Sequence, residues 1–140
     1  VSVLVQELFP LATVITPNLD EAELLLGHTI AGTPALEGAA RELQALGAQG
    51  VLLKGGHLKG DEVVDLLLQG EHAPLRLASP RIASENVHGT GCTLSSAIAA
   101  QLALGHGLED AVRLARAYIL GAIAAGAEVH TGRGHGPLNH

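Results

Sequence analysis

Apolar positions along this chain follow two rhythms: short runs bounded by turn residues, and longer stretches spaced at three and four. Val1 to Pro10 reads as the end of an amphipathic helix running into a turn. Ala12-Thr13-Val14-Ile15, bounded by Thr16-Pro17, suits a buried parallel strand. A helix is predicted from Asp20 to about Leu26, closed by Gly27. Thr33-Pro34 supplies a cap and a proline at the first helical position, and Leu36, Ala39, Ala40, Leu43 and Leu46 then recur at helical spacing until Gly47. Val51-Leu52-Leu53-Lys54 is a second buried strand ending in Gly55-Gly56, and Glu62 to Leu68 and Leu75 to Ala78 are two more, compatible with an antiparallel pair at a sheet edge. Two helices close the pattern. One runs from Thr93 to Leu104 and stops at Gly105-His106-Gly107; the other runs from Leu108 to about Ala125, with Leu108, Val112, Ala115, Ile119 and Ile123 on one face. Gly132 to Pro137 reads as loop.

Strands alternating with helices predict an α/β sheet flanked by helices, and ligands in such sheets collect at the carboxyl ends of the strands. That rule places Thr16-Pro17-Asn18, Lys54-Gly55-Gly56-His57 and the Gly89 to Cys92 turn on one rim. A length of 140 residues with 47% hydrophobic residues supports one modest domain at most. A net charge of −6, with only 8 Lys and Arg, excludes nucleic acid as partner, because a phosphate backbone demands clustered cations. Anionic small molecules remain, since main-chain dipoles bind them. A single cysteine forms no internal disulfide and no secretory leader pattern is present, so a cytoplasmic protein is expected. No apolar run reaches the roughly 18 residues of a membrane span. The chain has no initiator Met, which suggests that something precedes it.

Gly89-Thr90-Gly91-Cys92-Thr93, followed by Leu94-Ser95-Ser96-Ala97-Ile98-Ala99-Ala100, joins flexible backbone, a helix N-terminus and the one cysteine. A helix start stabilises anions through its unpaired N–H groups and partial positive charge, and favours a reactive thiolate there. The alternative is a Gly/Thr cap with Cys92 as a small buried hydrophobe. Asn18 and Glu21 have the spacing of a capping box, which the residues alone favour over a ligand role. Lys54 ends a strand before two glycines, so its ammonium either reaches phosphates over an unobstructed backbone or sits in solvent. Asp61 and Asp65 read as turn and strand residues. The 8 histidines show no ligand spacing with one another or with Cys92, which argues against zinc, and Arg133 and His135 read as a solvated tail.

Thr16-Pro17-Asn18-Leu19-Asp20-Glu21-Ala22-Glu23, Leu53-Lys54-Gly55-Gly56-His57 and His88-Gly89-Thr90-Gly91-Cys92-Thr93-Leu94-Ser95 together resemble the hydroxymethylpyrimidine phosphate kinases of thiamine biosynthesis, a branch of the ribokinase-like fold. Gly134-His135-Gly136-Pro137-Leu138 resembles members of the same family. Cys92 stands where the wider superfamily usually has Asp. The resemblance implies an enzyme that uses ATP and Mg²⁺ to phosphorylate 4-amino-5-hydroxymethyl-2-methylpyrimidine or its monophosphate. It implies that Gly89, Thr90, Gly91 and Cys92 form the catalytic anion hole, with Cys92 as general base or polar placement group and His88 in support. It also implies that Asn18, Lys54, Gly56, His57 and Thr93 contact ATP phosphates, and that Glu21 holds Mg²⁺ through water, a single carboxylate being sufficient for that hydrated ion.

The resemblance covers the C-terminal part of one ribokinase-like kinase domain, over residues 1–140, and the family's N-terminal half is absent. The chain is therefore expected to be either a fragment or a truncated gene product. A sheet cut through its middle has an open edge, so a homo-oligomer is expected. Pyridoxal kinase of the same family, and a non-catalytic nucleotide-binding or oligomerisation fragment, are the competing readings.

Overall fold

The computed structural model describes residues 1–56, 60–82, 89–126, 136 and 138–140. They fall into two compact units, Val1–Arg81 and Ile82–His140.

The first unit opens with one π-type turn, Leu4–Leu8, running into a 3₁₀ turn, Phe9–Leu11, as the apolar pattern suggested. Phe9, the chain's one phenylalanine, is buried. The chain then runs alongside the first strand, β1 (Gly50–Leu53), in parallel. Ile15 N–H donates to the Gly50 carbonyl at 2.9 Å, Leu52 N–H to the Ile15 carbonyl at 2.8 Å, and Lys54 N–H to the Pro17 carbonyl at 3.0 Å. The expected parallel strand over Ala12 to Ile15 is thus reduced to two isolated bridges, Ile15 with Val51 and Asn18 with Lys54. Pro17 has no N–H to extend the ladder.

Helix α1 (Leu19–Leu26) ends at Gly27, whose φ of 78° is left-handed and suits glycine. Helix α2 (Leu36–Ala45) follows a 3₁₀ turn, Thr33–Ala35. Pro34 therefore lies in this turn rather than at the first position of α2, and neither N-cap residue, Gly32 or Ala35, offers a side-chain cap. The predicted stripe is otherwise as expected: Leu36, Ala39, Ala40 and Leu43 are all buried.

Strands β1, β2 (Glu62–Gln69) and β3 (Leu75–Pro80) pair in that order, and both pairings are antiparallel. The register sets Val51 opposite Leu68 and Leu53 opposite Leu66. The strand period of two turns these four side chains to one face, where they join Leu36, Ala39, Ala40, Leu43, Phe9, Leu19 and Ala22 in a single core. Leu52, Leu67 and Leu77 belong to the opposite face and are also buried. Burial on both faces explains why the middle of β2 reads as a continuous apolar run.

Two contacts fix how these elements meet. An ideal Cβ on Gly55 would collide with the Val64 carbonyl oxygen, so only glycine fits where the chain leaves β1 and passes β2. Beyond α1, the His28 ring lies between two acceptors, with Nε2 2.9 Å from Glu42 Oε2 and Nδ1 3.1 Å from the Thr29 carbonyl. A doubly protonated ring satisfies both, so the bond to Glu42, and then that to Thr29, raises the pKa of His28 above its usual 6.5.

In the second unit, α3 (Thr90–Ala103) and α4 (Leu108–Gly126) pack on one another. Leu108, Val112, Ala115 and Ile119 are buried on α4 as predicted; Ala122 is buried there too, while Ile123 is only half-buried. Leu138 is buried, and Asn139 donates from N–H to the Ala122 carbonyl at 3.4 Å and from Nδ2 to the Ala125 carbonyl at 3.3 Å. Most of the predicted tail loop lies outside the described residues. Among the described residues no helix is long and apolar enough to cross a membrane.

Gly55→Ala should destabilise the protein by about 1–3 kcal/mol, the usual cost of overpacking, read from its urea midpoint. The His28 interaction raises a folded-state pKa, so its stabilisation is complete below pH 6.5 and is lost as pH rises through the folded value. The pair is exposed, so the loss should be small and reduced by salt. Melting curves at pH 6 and 8 should show it in wild type and not in His28→Gln.

Candidate functional site

Asn18 is the N-cap of α1, and both halves of a capping box are formed. Its Oδ1 accepts from Glu21 N–H at 2.8 Å, and Glu21 Oε2 accepts from Asn18 N–H at 2.9 Å. The capping role that the spacing favours is therefore realised. Glu21 is exposed, and its Oε1 makes no hydrogen bond among the described residues. No group of three or more His, Cys, Asp or Glu side chains that would hold a metal directly exists among the described residues.

The parallel bridge between Asn18 and Lys54 joins this helix start to the Lys54-Gly55-Gly56 turn. Three predicted phosphate residues, Asn18, Lys54 and Gly56, and the predicted metal residue Glu21 therefore belong to one neighbourhood at the end of β1. Lys54 is partly exposed, as a ligand-facing lysine must be.

The turn is held from two directions, by Asp65, which the sequence reads only as a strand residue, and by Arg81, to which it gives no role. Asp65 lies in β2, as expected of a strand residue, but it is buried, and its Oδ1 accepts from Gly55 N–H at 2.9 Å. Arg81, just beyond β3, donates from Nη1 to the Gly56 carbonyl at 2.9 Å and from Nε to the Gly60 carbonyl at 2.8 Å. The available signal was a carboxylate set in Val63-Val64-Asp65-Leu66-Leu67-Leu68, since a charge in an apolar strand needs a partner.

In the second unit, Gly89 caps α3 with a φ of 84°, a left-handed conformation that favours glycine although a Cβ would meet nothing within 4 Å. The helix begins at Thr90, three residues before the predicted start, because the turn is completed at Gly89. Thr90, Gly91 and Cys92 are thus its first turn rather than a preceding loop. Intrahelical bonding starts with Thr93 N–H, which donates to the Gly89 carbonyl at 2.9 Å, so the three preceding amides lie ahead of the ladder. Ser95 Oγ donates to the Gly91 carbonyl at 3.0 Å and braces this turn. The Cys92 thiol is exposed, which overturns the alternative of a small buried hydrophobe. His57 and His88 lie outside the described residues.

Comparison with known proteins bears on this arrangement. The profile of the family described as phosphomethylpyrimidine kinase matches residues 1–139. A thiamine biosynthesis bifunctional protein from Geobacter sulfurreducens is 52% identical over 140 residues, covering 100% of this chain and 28% of that protein. A hydroxymethylpyrimidine/phosphomethylpyrimidine kinase from Rhizobium meliloti is 50% identical over 141 residues, covering 100% of this chain and 53% of that kinase. Among solved structures, the Staphylococcus aureus pyridoxal kinase in complex with AMP-PCP and pyridoxal is similar with a TM-score of 0.92 and 33% identity, over 99% of this chain and 51% of that one. The sheet flanked by helices is thus of the ribokinase-like class. The chain spans about half the length of the kinases it matches.

Asn18→Ala should cost about 1 kcal/mol through loss of the cap, and Asn18→Asp only a few tenths, in equilibrium denaturation.

Proposed function

This chain belongs to the phosphomethylpyrimidine kinase family, and from that membership we propose that it is the ATP- and active-site-bearing part of a kinase that phosphorylates an aminopyrimidine alcohol or its monophosphate. The observation that carries this reading is the Asn18–Lys54 bridge, which sets an acidic helix start beside a lysine-glycine turn. Relatives named as kinases of these pyrimidines, and a structural neighbour that holds the ATP analogue AMP-PCP, support it.

Phosphoryl transfer depends on positioning and charge stabilisation, because charge accumulates on the transferred oxygens. With the alcohol as substrate its hydroxymethyl oxygen attacks the γ-phosphorus of ATP, and with the monophosphate a phosphate oxygen does so; in either case the bond from that phosphorus to the β,γ-bridging oxygen breaks and ADP leaves. The amides of Thr90, Gly91 and Cys92, oriented by Gly89, receive the developing negative charge. Cys92 Sγ takes the hydroxyl proton as general base or, as a thiol, orients the hydroxyl. Lys54, the Gly56 backbone and Asn18 contact the nucleotide phosphates, and family membership assigns Thr93 and His57 to phosphate as well. Glu21 would hold hydrated Mg²⁺ through water, and the ion would supply neutralisation of the phosphate charge.

The competing substrate is pyridoxal, favoured by the fit to the Staphylococcus aureus pyridoxal kinase with pyridoxal bound. A cytoplasmic homo-oligomer belongs to the same proposal. A non-catalytic nucleotide-binding fragment is the reading opposed to turnover.

Coupled ATP turnover should be measured with 4-amino-5-hydroxymethyl-2-methylpyrimidine and with pyridoxal, both of which carry the free hydroxyl, using wild type and Cys92→Ala shown to be folded by thermal melting. The expected result is Mg²⁺-dependent turnover, faster with the pyrimidine and lowered about 10²- to 10⁴-fold in the variant. Faster turnover of pyridoxal would replace the substrate, and no turnover by folded wild type would reject catalysis by this chain.

A further inference from the structure

We propose that Asp65 and Arg81 are positioning residues for nucleotide binding, holding the Lys54-Gly55-Gly56 turn from opposite ends so that it meets phosphate in one geometry. This role rests on the phosphate-binding reading given above.

Asp65 is 6% exposed, in the middle of an otherwise apolar strand. Burying a carboxylate is costly, and replacing a buried charge with an apolar residue of similar size is often neutral or stabilising. Packing alone therefore gives no reason for Asp at this position. Its identified task is local: Oδ1 accepts from Gly55 N–H at 2.9 Å, a charge-assisted bond to the residue after Lys54. The residue before Asp65, Val64, presents the carbonyl oxygen against which Gly55 packs too closely for any side chain. One dipeptide of β2 thus fixes both the approach of the turn and its amide direction.

Arg81 works on the other end. Its guanidinium takes the carbonyls of Gly56 and Gly60 at 2.9 and 2.8 Å, and its own N–H donates to the Asp61 carbonyl at 2.8 Å. The Gly56 carbonyl would repel a phosphate if it turned toward one, and Arg81 engages it instead. Glycines are the residues with the most conformational freedom to lose. A turn of two glycines is suited to close phosphate approach only when something outside it removes that freedom, and Asp65 and Arg81 are placed to do so.

The test is the affinity of the chain for ADP with Mg²⁺, by titration calorimetry, together with amide hydrogen exchange at Gly55. Asp65→Ala should weaken ADP binding roughly tenfold or more, the equivalent of one lost hydrogen bond to a charged group, and speed exchange at Gly55. Asp65→Asn keeps an oxygen acceptor and should recover most of both. Arg81→Ala, at an exposed position, should weaken ADP binding about three- to tenfold without unfolding the protein, and carries the test if Asp65→Ala does not fold. ADP affinity equal to wild type in folded Arg81→Ala and Asp65→Ala would overturn the proposal, as would equal losses in Asp65→Asn and Asp65→Ala. Absence of ADP binding by folded wild type rejects the phosphate-binding reading itself.

Discussion

The close passage of Gly55 against β2 is the constraint on which the rest of the first unit depends. A backbone that comes within contact of the Val64 carbonyl has no room for a side chain, so the chain leaving β1 must be glycine at that point. From there the consequences run outward. Lys54, one residue earlier, is held in the parallel bridge to Asn18, and Asn18 starts α1. The exit of β1 and the start of α1 are therefore tied together by one close approach and a few hydrogen bonds. The core beneath, built from α2 and the inner residues of β1 and β2, supplies the stability against which this arrangement is held.

Asn18 and Glu21 show how structural and chemical roles share residues. Their reciprocal bonds satisfy two amides that a helix start leaves without partners. The same geometry puts a carboxylate oxygen and an amide side chain at the positive end of a helix dipole, which favours negative charge. The cap is worth a modest energy, and the ligand role proposed for the pair does not exclude it.

Much of this was legible in the chain, for identifiable reasons. The stripe Leu36, Ala39, Ala40 and Leu43 repeats at the helical period and is buried because that period puts it on one side. Gly27 closes α1 because a left-handed residue is required there. The site motifs at Asn18, Lys54 and Gly89 were visible as glycine, proline and polar punctuation at the ends of apolar runs. Less legible were the boundaries. The first turn of α3 at Thr90-Gly91-Cys92 reads as loop because glycine and threonine are poor helix formers, but helix starts tolerate them. Segment 12–18 has the composition of a strand, but only Ile15 and Asn18 pair, since Pro17 interrupts the donors.

The sequence by itself determined most of the succession of elements and the helical stripes of the core, because these follow from periodicity and turn preference over short distances. Only the tertiary structure decided what Asp65 and Arg81 do. Their partners, Gly55, Gly56 and Gly60, lie 10 to 25 residues away in the chain, and a hydrogen bond across that separation has no periodic signature. The register of β2 against β1 and the close approach at Gly55 bring them together, and register is a property of packed faces rather than of any one segment.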